Sequence, residues 1–152
     1  MQSNRFLDRL GQRGLKWSDQ RSQISLKENK KEYKANNPAS KILFCYHIDG
    51  EMIEHDVGQK ACDYGLGVPI DDRLLLIEFK GKNLEHAIKQ ISATLDFLGD
   101  KINDLKVDVH IILSRNNPTD LKGSNFRHLE AKLKQRRKGS LKTHSMLCEE
   151  VL

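Results

Sequence analysis

Cysteine is scarce in this chain and is not spaced for cross-linking. The 152 residues include three cysteines, Cys45, Cys62 and Cys148, an odd number with no Cys-X-X-Cys spacing. A disulfide framework needs paired cysteines and a zinc knuckle needs closely spaced ones, so neither is predicted. His47 and His55 have no soft ligand at a suitable spacing, and we expect no zinc site around them. Reduced thiols favour an intracellular protein, and we expect a cytoplasmic location.

Long apolar runs are missing as well. No window approaches the roughly 18 apolar residues that cross a bilayer, and the first residues lack the apolar segment of a secretion signal. We therefore predict no membrane contact. A Gly-rich phosphate loop of the Walker type is absent, and no Ser/His/Asp or Cys/His order can be read, which removes those mechanisms from consideration.

The bulk composition fits one compact domain over residues 1–152. A hydrophobic content of 38% in a chain of this length can build one core and leaves little for a second. The formal net charge is +5. A modest positive charge suits a polyanionic partner, although many proteins with such a charge have none.

Residues 61–82 (ACDYGLGVPIDDRLLLIEFKGK) contain two strand-like runs joined by a Pro-Ile-Asp-Asp corner. Side chains alternate along a strand, so the second run is apolar on both faces, which is typical of a strand covered on both sides. Its last residues, Glu78 and Lys80, lie on one face. We predict a β-hairpin that folds about the peptide between Ile70 and Asp71.

This register places Asp63 opposite Glu78. Facing residues of an antiparallel pair lie about 4.5–5.5 Å apart at Cβ, and like charges there are destabilising unless a positive group lies between them. The two candidates for that positive group are Lys80 and a metal ion. A buried ion-pair network that only neutralises itself is the alternative, but burying charges costs on the order of several kcal/mol per ion, which favours a functional site.

At these residues the chain resembles the PD-(D/E)XK nuclease superfamily, in which an acidic residue on one central strand and a Glu-X-Lys on the next form a metal-dependent phosphodiesterase site. The matching residues are Asp63, Glu78, Phe79 and Lys80, with Cys62 in the place of the usual proline. The resemblance covers about residues 41–115 and assigns no branch. It implies that Asp63, Glu78 and the Phe79 carbonyl hold Mg²⁺, which Mn²⁺ can replace. Lys80 would then assist the attacking water or the phosphate.

The residues after Gly81 change to a helical period. An apolar stripe follows an Asn83 N-cap and consists of Leu84, Ala87, Ile88, Ile91, Leu95 and Leu98. Gln90 lies at the border of this stripe. In exonuclease-like branches of the resembling superfamily a Gln here, followed four residues later by Tyr, contacts the substrate; Thr94 stands in place of that Tyr. Gln90 is therefore a candidate catalytic residue, with a solvated glutamine as the alternative.

The remaining patterns complete a fold prediction. A strand at 41–48, a turn at Asp49 and Gly50, a return strand at 51–55 and a later strand at 107–113 join the hairpin. The expected fold is α/β, with a single mixed central β-sheet built as a β-meander followed by a crossover helix and a further strand, and flanked by helices. The resemblance makes this a restriction-endonuclease-like core.

Residues 1–40 are expected to form a helical extension of that core. The spacing from Ser25 to Glu28 has the form of a capping box and predicts a short helix over 25–33. Glu28 and Glu32 would lie on its charged face, and we leave both out of the site because a solvated face is the ordinary use of such charges.

A basic helix is predicted over about 125–138, with Phe126, Leu129 and Leu133 facing inward. Its positive charge is dense, and phosphate neutralisation supplies most non-specific affinity for nucleic acid. A solvated face is the alternative. The candidate nucleic-acid-binding residues are Lys82, Lys132, Lys134, Arg136 and Arg137.

Together these features predict an enzyme, a Mg²⁺-dependent phosphodiesterase that cleaves nucleic acid, with DNA preferred as the substrate and a homodimer compatible with the chain. Two alternatives stay open. One is a catalytically silent nuclease-like domain that binds nucleic acid, and the other is a module that binds another protein.

Overall fold

The computed structural model describes residues 2–54, 61–115 and 123–152. Three α-helices and nine strands occur in these residues. The helices are α1 (Gln2–Leu10), α2 (Leu84–Leu98) and α3 (Ser124–Arg137). The strands are β1 (Leu15–Asp19), β2 (Gln23–Glu28), β3 (Lys31–Asn36), β4 (Leu43–His47), β5 (Tyr64–Val68), β6 (Arg73–Lys80), β7 (Lys106–Leu113), β8 (Leu141–Ser145) and β9 (Leu147–Val151).

Six strands form a mixed central sheet in the order β1-β4-β5-β6-β7-β8. The pairs from β1 to β6 are antiparallel, whereas β6 pairs with β7 and β7 with β8 in parallel. Parallel neighbours need a long return connection, and α2 and α3 lie in the two connections. The expected α/β class, with a mixed sheet flanked by helices, is confirmed.

The central sheet is covered on both faces. Leu74 and Leu76 of β6 pack in one core with residues of all three helices, including Ile91 of α2. Leu75 and Ile77 face the other core, which a second sheet of order β2-β3-β9 closes. The apolar run in β6 is continuous because both of its faces are buried.

The central hairpin has the predicted register. Tyr64 pairs with Ile77 and Val68 with Arg73, around a 3-10 turn at Pro69–Asp71. Continuing that register by one residue places Asp63 opposite Glu78. The alternation of side chains and the position of the corner were therefore sufficient to predict which two acids meet.

The predicted helix over 25–33 is wrong. This segment forms most of the antiparallel hairpin of β2 and β3, and its turn residues Asn29 and Lys30 have φ angles of 48° and 69°. Ile24 and Leu26 are buried while their neighbours along β2 are exposed. A period of two places those apolar residues on one face of a strand, and this burial outweighs the local capping pattern.

The helical extension predicted for 1–40 is correspondingly wrong beyond α1. Strand β1 joins the central sheet, and β2 and β3 build the second sheet together with β9. The prediction of a single sheet is also wrong, because β2, β3 and β9 form a sheet of their own. Phe6 of α1 is buried and stacks on Phe44 at 5.7 Å, so the first helix is held against the core.

The return strand predicted at 51–55 is also wrong for residues 51–54, the part of it that the structure describes. Residues 51–54 form a turn, closed by the Gly50 N–H donating to the Ile53 carbonyl at 2.9 Å, and Gly50 has a φ of 84°. His55 lies outside the described residues. Strand β5 therefore lies directly beside β4.

No helix in the described parts of the chain is long and apolar enough to cross a membrane.

Candidate metal-binding site at the strand ends

Asp63 and Glu78 meet where the ladder between β5 and β6 stops. In a continued ladder, Cys62 would exchange backbone hydrogen bonds with Phe79. Instead, the Cys62 N–H donates to Thr94 Oγ1 of α2 at 2.9 Å, and the Phe79 N–H donates to Asp63 Oδ2 at 2.8 Å. The chain before β5 therefore bends toward α2. The Asp63 carboxylate accepts the hydrogen bond from Phe79 that the Cys62 carbonyl would accept in a continued ladder.

Each of the two carboxyl groups is bonded to the backbone of the opposite strand. The Asp63 N–H donates to Glu78 Oε1 at 3.0 Å, and the Phe79 N–H donates to Asp63 Oδ2. One oxygen of each group is thus fixed. Among the described residues, the other oxygens, Asp63 Oδ1 and Glu78 Oε2, accept no backbone hydrogen bond.

Burial makes ionisation of this pair unfavourable. Glu78 is only 1% exposed. Burial and then the charge of Asp63 raise the pKa of Glu78 well above its usual range. Burial also raises the pKa of Asp63, against the hydrogen bond from Phe79. A neighbouring like charge disfavours ionisation, so a cation bound between the two carboxyl groups would favour the fully ionised pair.

Lys80 supplies a positive charge beside the pair. Its Nζ lies 3.9 Å from Glu78 Oε2, an ion-pair distance longer than a hydrogen bond, and its side chain is 23% exposed. Lys80 lowers the pKa of Glu78 but does not outweigh burial. The ammonium group therefore lies between the buried carboxyl and solvent, where it can contact a substrate. Lys82 follows it and is exposed.

Glu28, which the sequence analysis left out, belongs to this cluster. It ends β2, its carboxyl hydrogen-bonds with that of Asp63, and partial burial and Asp63 raise the pKa of Glu28. Lys31 faces Glu28 across the hairpin turn and opposes that shift, as does Lys80. Glu28 is exposed, as expected, but its exclusion from the cluster is wrong, because a strand rather than a helix brings it to the ends of β5 and β6.

Gln90 lies on α2 and bonds to the segment that precedes the pair. Its Nε2 donates to the Ala61 carbonyl at 3.1 Å, while its buried Oε1 has no hydrogen-bond partner in the described residues. Thr94, one turn later and fully buried, donates to the Gln90 carbonyl at 2.9 Å and accepts from Cys62. The two side chains fix the path of the chain into Asp63. A direct catalytic role of Gln90 stays a prediction.

Replacing Thr94 with valine should loosen that segment. The substitution keeps the shape but leaves the Cys62 N–H buried without an acceptor, which costs about 1–3 kcal/mol of unfolding free energy in urea denaturation. Thr94→Ser keeps the hydroxyl and is the matched control. We expect the valine variant to be the less stable of the two and the only one with impaired cleavage. Unimpaired cleavage by Thr94→Val would show that this contact does not position Asp63.

The predicted basic surface extends along α3 away from the cluster. Asn125, near the start of α3, contacts Glu85 in the first turn of α2, and Lys132 lies 3.9 Å from Asp96 near the end of α2. The two helices therefore run in the same direction. Lys132 lies about 10 Å beyond Asn125 along the axis, by the 1.5 Å rise of a helix. Lys134 is exposed.

Arg136 and Arg137 are in the last turn of α3, and their side chains lie outside the described part of the chain. Lys82, by contrast, follows the strand that carries Glu78 and lies at the same end of the sheet as the carboxylates. Lys82, Lys132 and Lys134 thus do not form one patch around the site. Lys82 is near it, and those on α3 extend toward the opposite end of the sheet.

Comparisons with known proteins add no relatives to this description. No protein-family model matches the chain, and no curated protein or solved structure is significantly similar to it. The functional conclusion therefore depends on the geometry and the chemistry of the site.

Proposed function

We propose that this protein is a metal-dependent nuclease with a restriction-endonuclease-like core, which hydrolyses phosphodiester bonds of nucleic acid, preferably DNA. The observation that carries the proposal is the pairing of the buried Glu78 with the partly buried Asp63 at the end of β5 and β6. Each carboxyl group is fixed through one oxygen, and its other oxygen has no backbone partner among the described residues. Such a pair at the end of the central strands, with an ion-pairing lysine beside it, suits a divalent cation.

The residues present fit Mg²⁺. This ion prefers oxygen ligands, usually one or two carboxylates together with carbonyls, waters and substrate phosphate. The donors would be Asp63 Oδ1, Glu78 Oε2 and the Phe79 carbonyl, which points to the same side of β6 as the Phe79 N–H that bonds Asp63. The ladder partner of that carbonyl is missing because Cys62 donates to Thr94 instead. Mn²⁺ takes the same kind of ligands and should substitute.

Bound there, Mg²⁺ would lower the pKa of a water molecule and neutralise charge that develops on the phosphate. The protein's own groups have separate tasks. Asp63 and Glu78 hold a proton when no cation is present and release it when one binds. Lys80, 3.9 Å from Glu78 and partly exposed, hydrogen-bonds the attacking water or a phosphate oxygen. Glu28 lies next to Asp63 and completes the acidic cluster.

One assay separates this proposal from its alternatives. Plasmid, linear and single-stranded DNA, and single-stranded RNA, would be incubated with the purified protein in Mn²⁺ or in EDTA. We expect cleavage of at least one DNA substrate in Mn²⁺ and none in EDTA. Binding without cleavage in Mn²⁺ would favour the catalytically silent nucleic-acid-binding domain, and neither binding nor cleavage would favour a module that binds protein.

The basic surface of α3 has its own test. Changing Lys134, Arg136 and Arg137 together to alanine should weaken binding of all DNA sequences alike, since backbone contacts do not read bases. Each lost phosphate contact should reduce the slope of log affinity against log salt by about 0.9 for duplex DNA. Lys34→Ala, on the outer face of the second sheet, is the control and should leave the slope unchanged. An unchanged slope in the triple variant would identify α3 as a solvated face.

A further inference from the structure

We propose that His110, His144 and Cys148 form a zinc-binding site between the two sheets, separate from the carboxylate cluster. The three side chains converge although they come from three strands. His110 Nδ1 lies 2.9 Å from His144 Nε2 and 3.7 Å from Cys148 Sγ. All three potential ligand atoms lie within 4.8 Å of one another.

These separations suit a common tetrahedral ion. With Zn–N bonds of about 2.0–2.1 Å and Zn–S bonds of about 2.3 Å, two nitrogen ligands lie about 3.3 Å apart and a nitrogen and a sulfur about 3.6 Å apart. The observed 2.9 and 3.7 Å are within a few tenths of an ångström of those values. Two imidazoles and a thiolate are also ligands that Zn²⁺ prefers, whereas Mg²⁺ prefers oxygen.

A carboxylate lies beside the ring nitrogen of His110 that faces away from the other two ligands. Glu150 Oε2 lies 2.9 Å from His110 Nε2, and Glu150 is held in turn by the Tyr33 hydroxyl at 2.7 Å and by Arg73 at 3.5 Å. The 2.9 Å contact is not aligned as a hydrogen bond, but a carboxylate only accepts, so its position favours a proton on Nε2 of a neutral His110. The Nδ1 lone pair then faces His144 and Cys148. Metal-binding histidines are commonly oriented by a carboxylate on the opposite ring nitrogen in this way.

Hydrogen bonds explain the convergence of the three side chains less well than a shared ion does. The single lone pair of His110 Nδ1 faces both His144 Nε2 and Cys148 Sγ, and one lone pair makes one good hydrogen bond. An ion in the middle is bound by all three atoms at once. The thiol proton of Cys148 passes to solvent when the ion binds. Three protein ligands leave the fourth position of a tetrahedral ion for water or a small anion.

The site would connect the two sheets. His110 is on β7 and His144 on β8 of the central sheet, whereas Cys148 is on β9 of the second sheet. His110 and Cys148 are buried, and the partly exposed His144 on the edge strand β8 provides a route for the ion. A bound ion should therefore stabilise the folded state as a cross-link between β7, β8 and β9.

Cobalt is the probe for this proposal, because Co²⁺ replaces Zn²⁺ and absorbs light. Metal-free protein titrated with Co²⁺ should show visible bands of a tetrahedral ion and a near-ultraviolet sulfur-to-cobalt band, both saturating at one ion per chain. Zn²⁺ added afterwards should remove both. The sulfur band should be lost in Cys148→Ser and retained in Cys45→Ser, a matched change at another buried cysteine.

Further variants keep the test decisive. His144→Gln removes a partly exposed ligand and should lower the affinity for Co²⁺ by more than about 100-fold, beyond the effect of losing a residue that only orients a ligand. It decides the question alone if Cys148→Ser does not fold. Glu150→Gln should weaken Co²⁺ binding about 10–100-fold, as expected when a carboxylate that orients a ligand is lost. Glu78→Gln should leave the bands unchanged, which separates this site from the carboxylate cluster. Absence of the sulfur band in the parent protein, its persistence in Cys148→Ser, or an unchanged affinity for Co²⁺ in His144→Gln would overturn the proposal.

Discussion

Glu78→Gln should abolish divalent-dependent cleavage while the protein stays folded. Glutamine has the same shape and can still accept the hydrogen bond from the Asp63 N–H. It removes one charged oxygen that would face the cation. Loss of a residue that only orients a ligand already costs about 10–100-fold in affinity or activity, so loss of the ligand itself should cost more than about 100-fold. The measurement is the initial rate of DNA cleavage in Mn²⁺, with circular dichroism as the check on folding.

The control for this variant is Glu149→Gln, which makes the same change at an exposed position of β9. It should cleave at the parental rate. If Glu78→Gln also cleaves at the parental rate, Glu78 does not hold the ion and the site is misassigned.

The stability of the metal-free protein should fall as the pH rises, and Glu78→Gln should remove much of that fall. The pKa of Glu78 is raised above its unfolded value of about 4.5 because the group is buried beside Asp63. The folded state therefore binds the proton more tightly than the unfolded state. This stabilisation is complete below about pH 4.5 and is lost as the pH rises toward the raised pKa. For one such group, the free energy of unfolding falls by up to about 1.4 kcal/mol per pH unit.

Urea denaturation in EDTA between about pH 5 and pH 9 measures this effect. Across that range the free energy of unfolding of the parent should fall by several kcal/mol more than that of Glu78→Gln. This is a large part of the roughly 5–15 kcal/mol that stabilises a domain. Excess Mg²⁺ should reduce the difference, because a cation that binds only the folded state opposes the loss. Parallel curves for the two proteins in EDTA would show that Glu78 is not held protonated in the folded chain.

The central hairpin was predictable because two independent signals agree on it. The corner around Ile70 and Asp71 fixed the register, and the apolar run in β6 fixed which strand is buried on both faces. The pairing of Asp63 with Glu78 follows from those two facts alone. The bend at Cys62 does not, since it depends on the hydroxyl of Thr94, which lies 32 residues away in the sequence.

Glu28 was missed because two local patterns compete in its segment. The spacing from Ser25 to Glu28 is that of a helix cap, while Ile24 and Leu26 alternate with polar residues at the period of a strand. The strand period prevails because it buries apolar side chains against the central sheet, and a cap stabilises by only about 1 kcal/mol. Giving the alternation more weight than the cap would have placed Glu28 at a strand end.

The cluster of His110, His144 and Cys148 could not be read from spacing. The expectation of no zinc knuckle, and of no zinc site around His47 and His55, rested on the absence of closely spaced cysteine and histidine ligands. Here the ligands lie 34 and 38 residues from His110, and the pairing of β7 with β8 and the crossing to β9 bring them together. Sheet topology, which is a long-range property, decides such a site.

Diffraction from crystals grown with Mn²⁺ shows whether Asp63 and Glu78 hold a divalent cation, because anomalous scattering locates manganese independently of activity. The expected result is a peak bonded to the carboxylates of Asp63 and Glu78 and to the Phe79 carbonyl, at about 2.1 Å from each oxygen. The same crystals of Glu78→Gln should lose the peak. Crystals without manganese between these oxygens, in which Asp63 and Glu78 keep only their backbone and carboxyl partners, would contradict it.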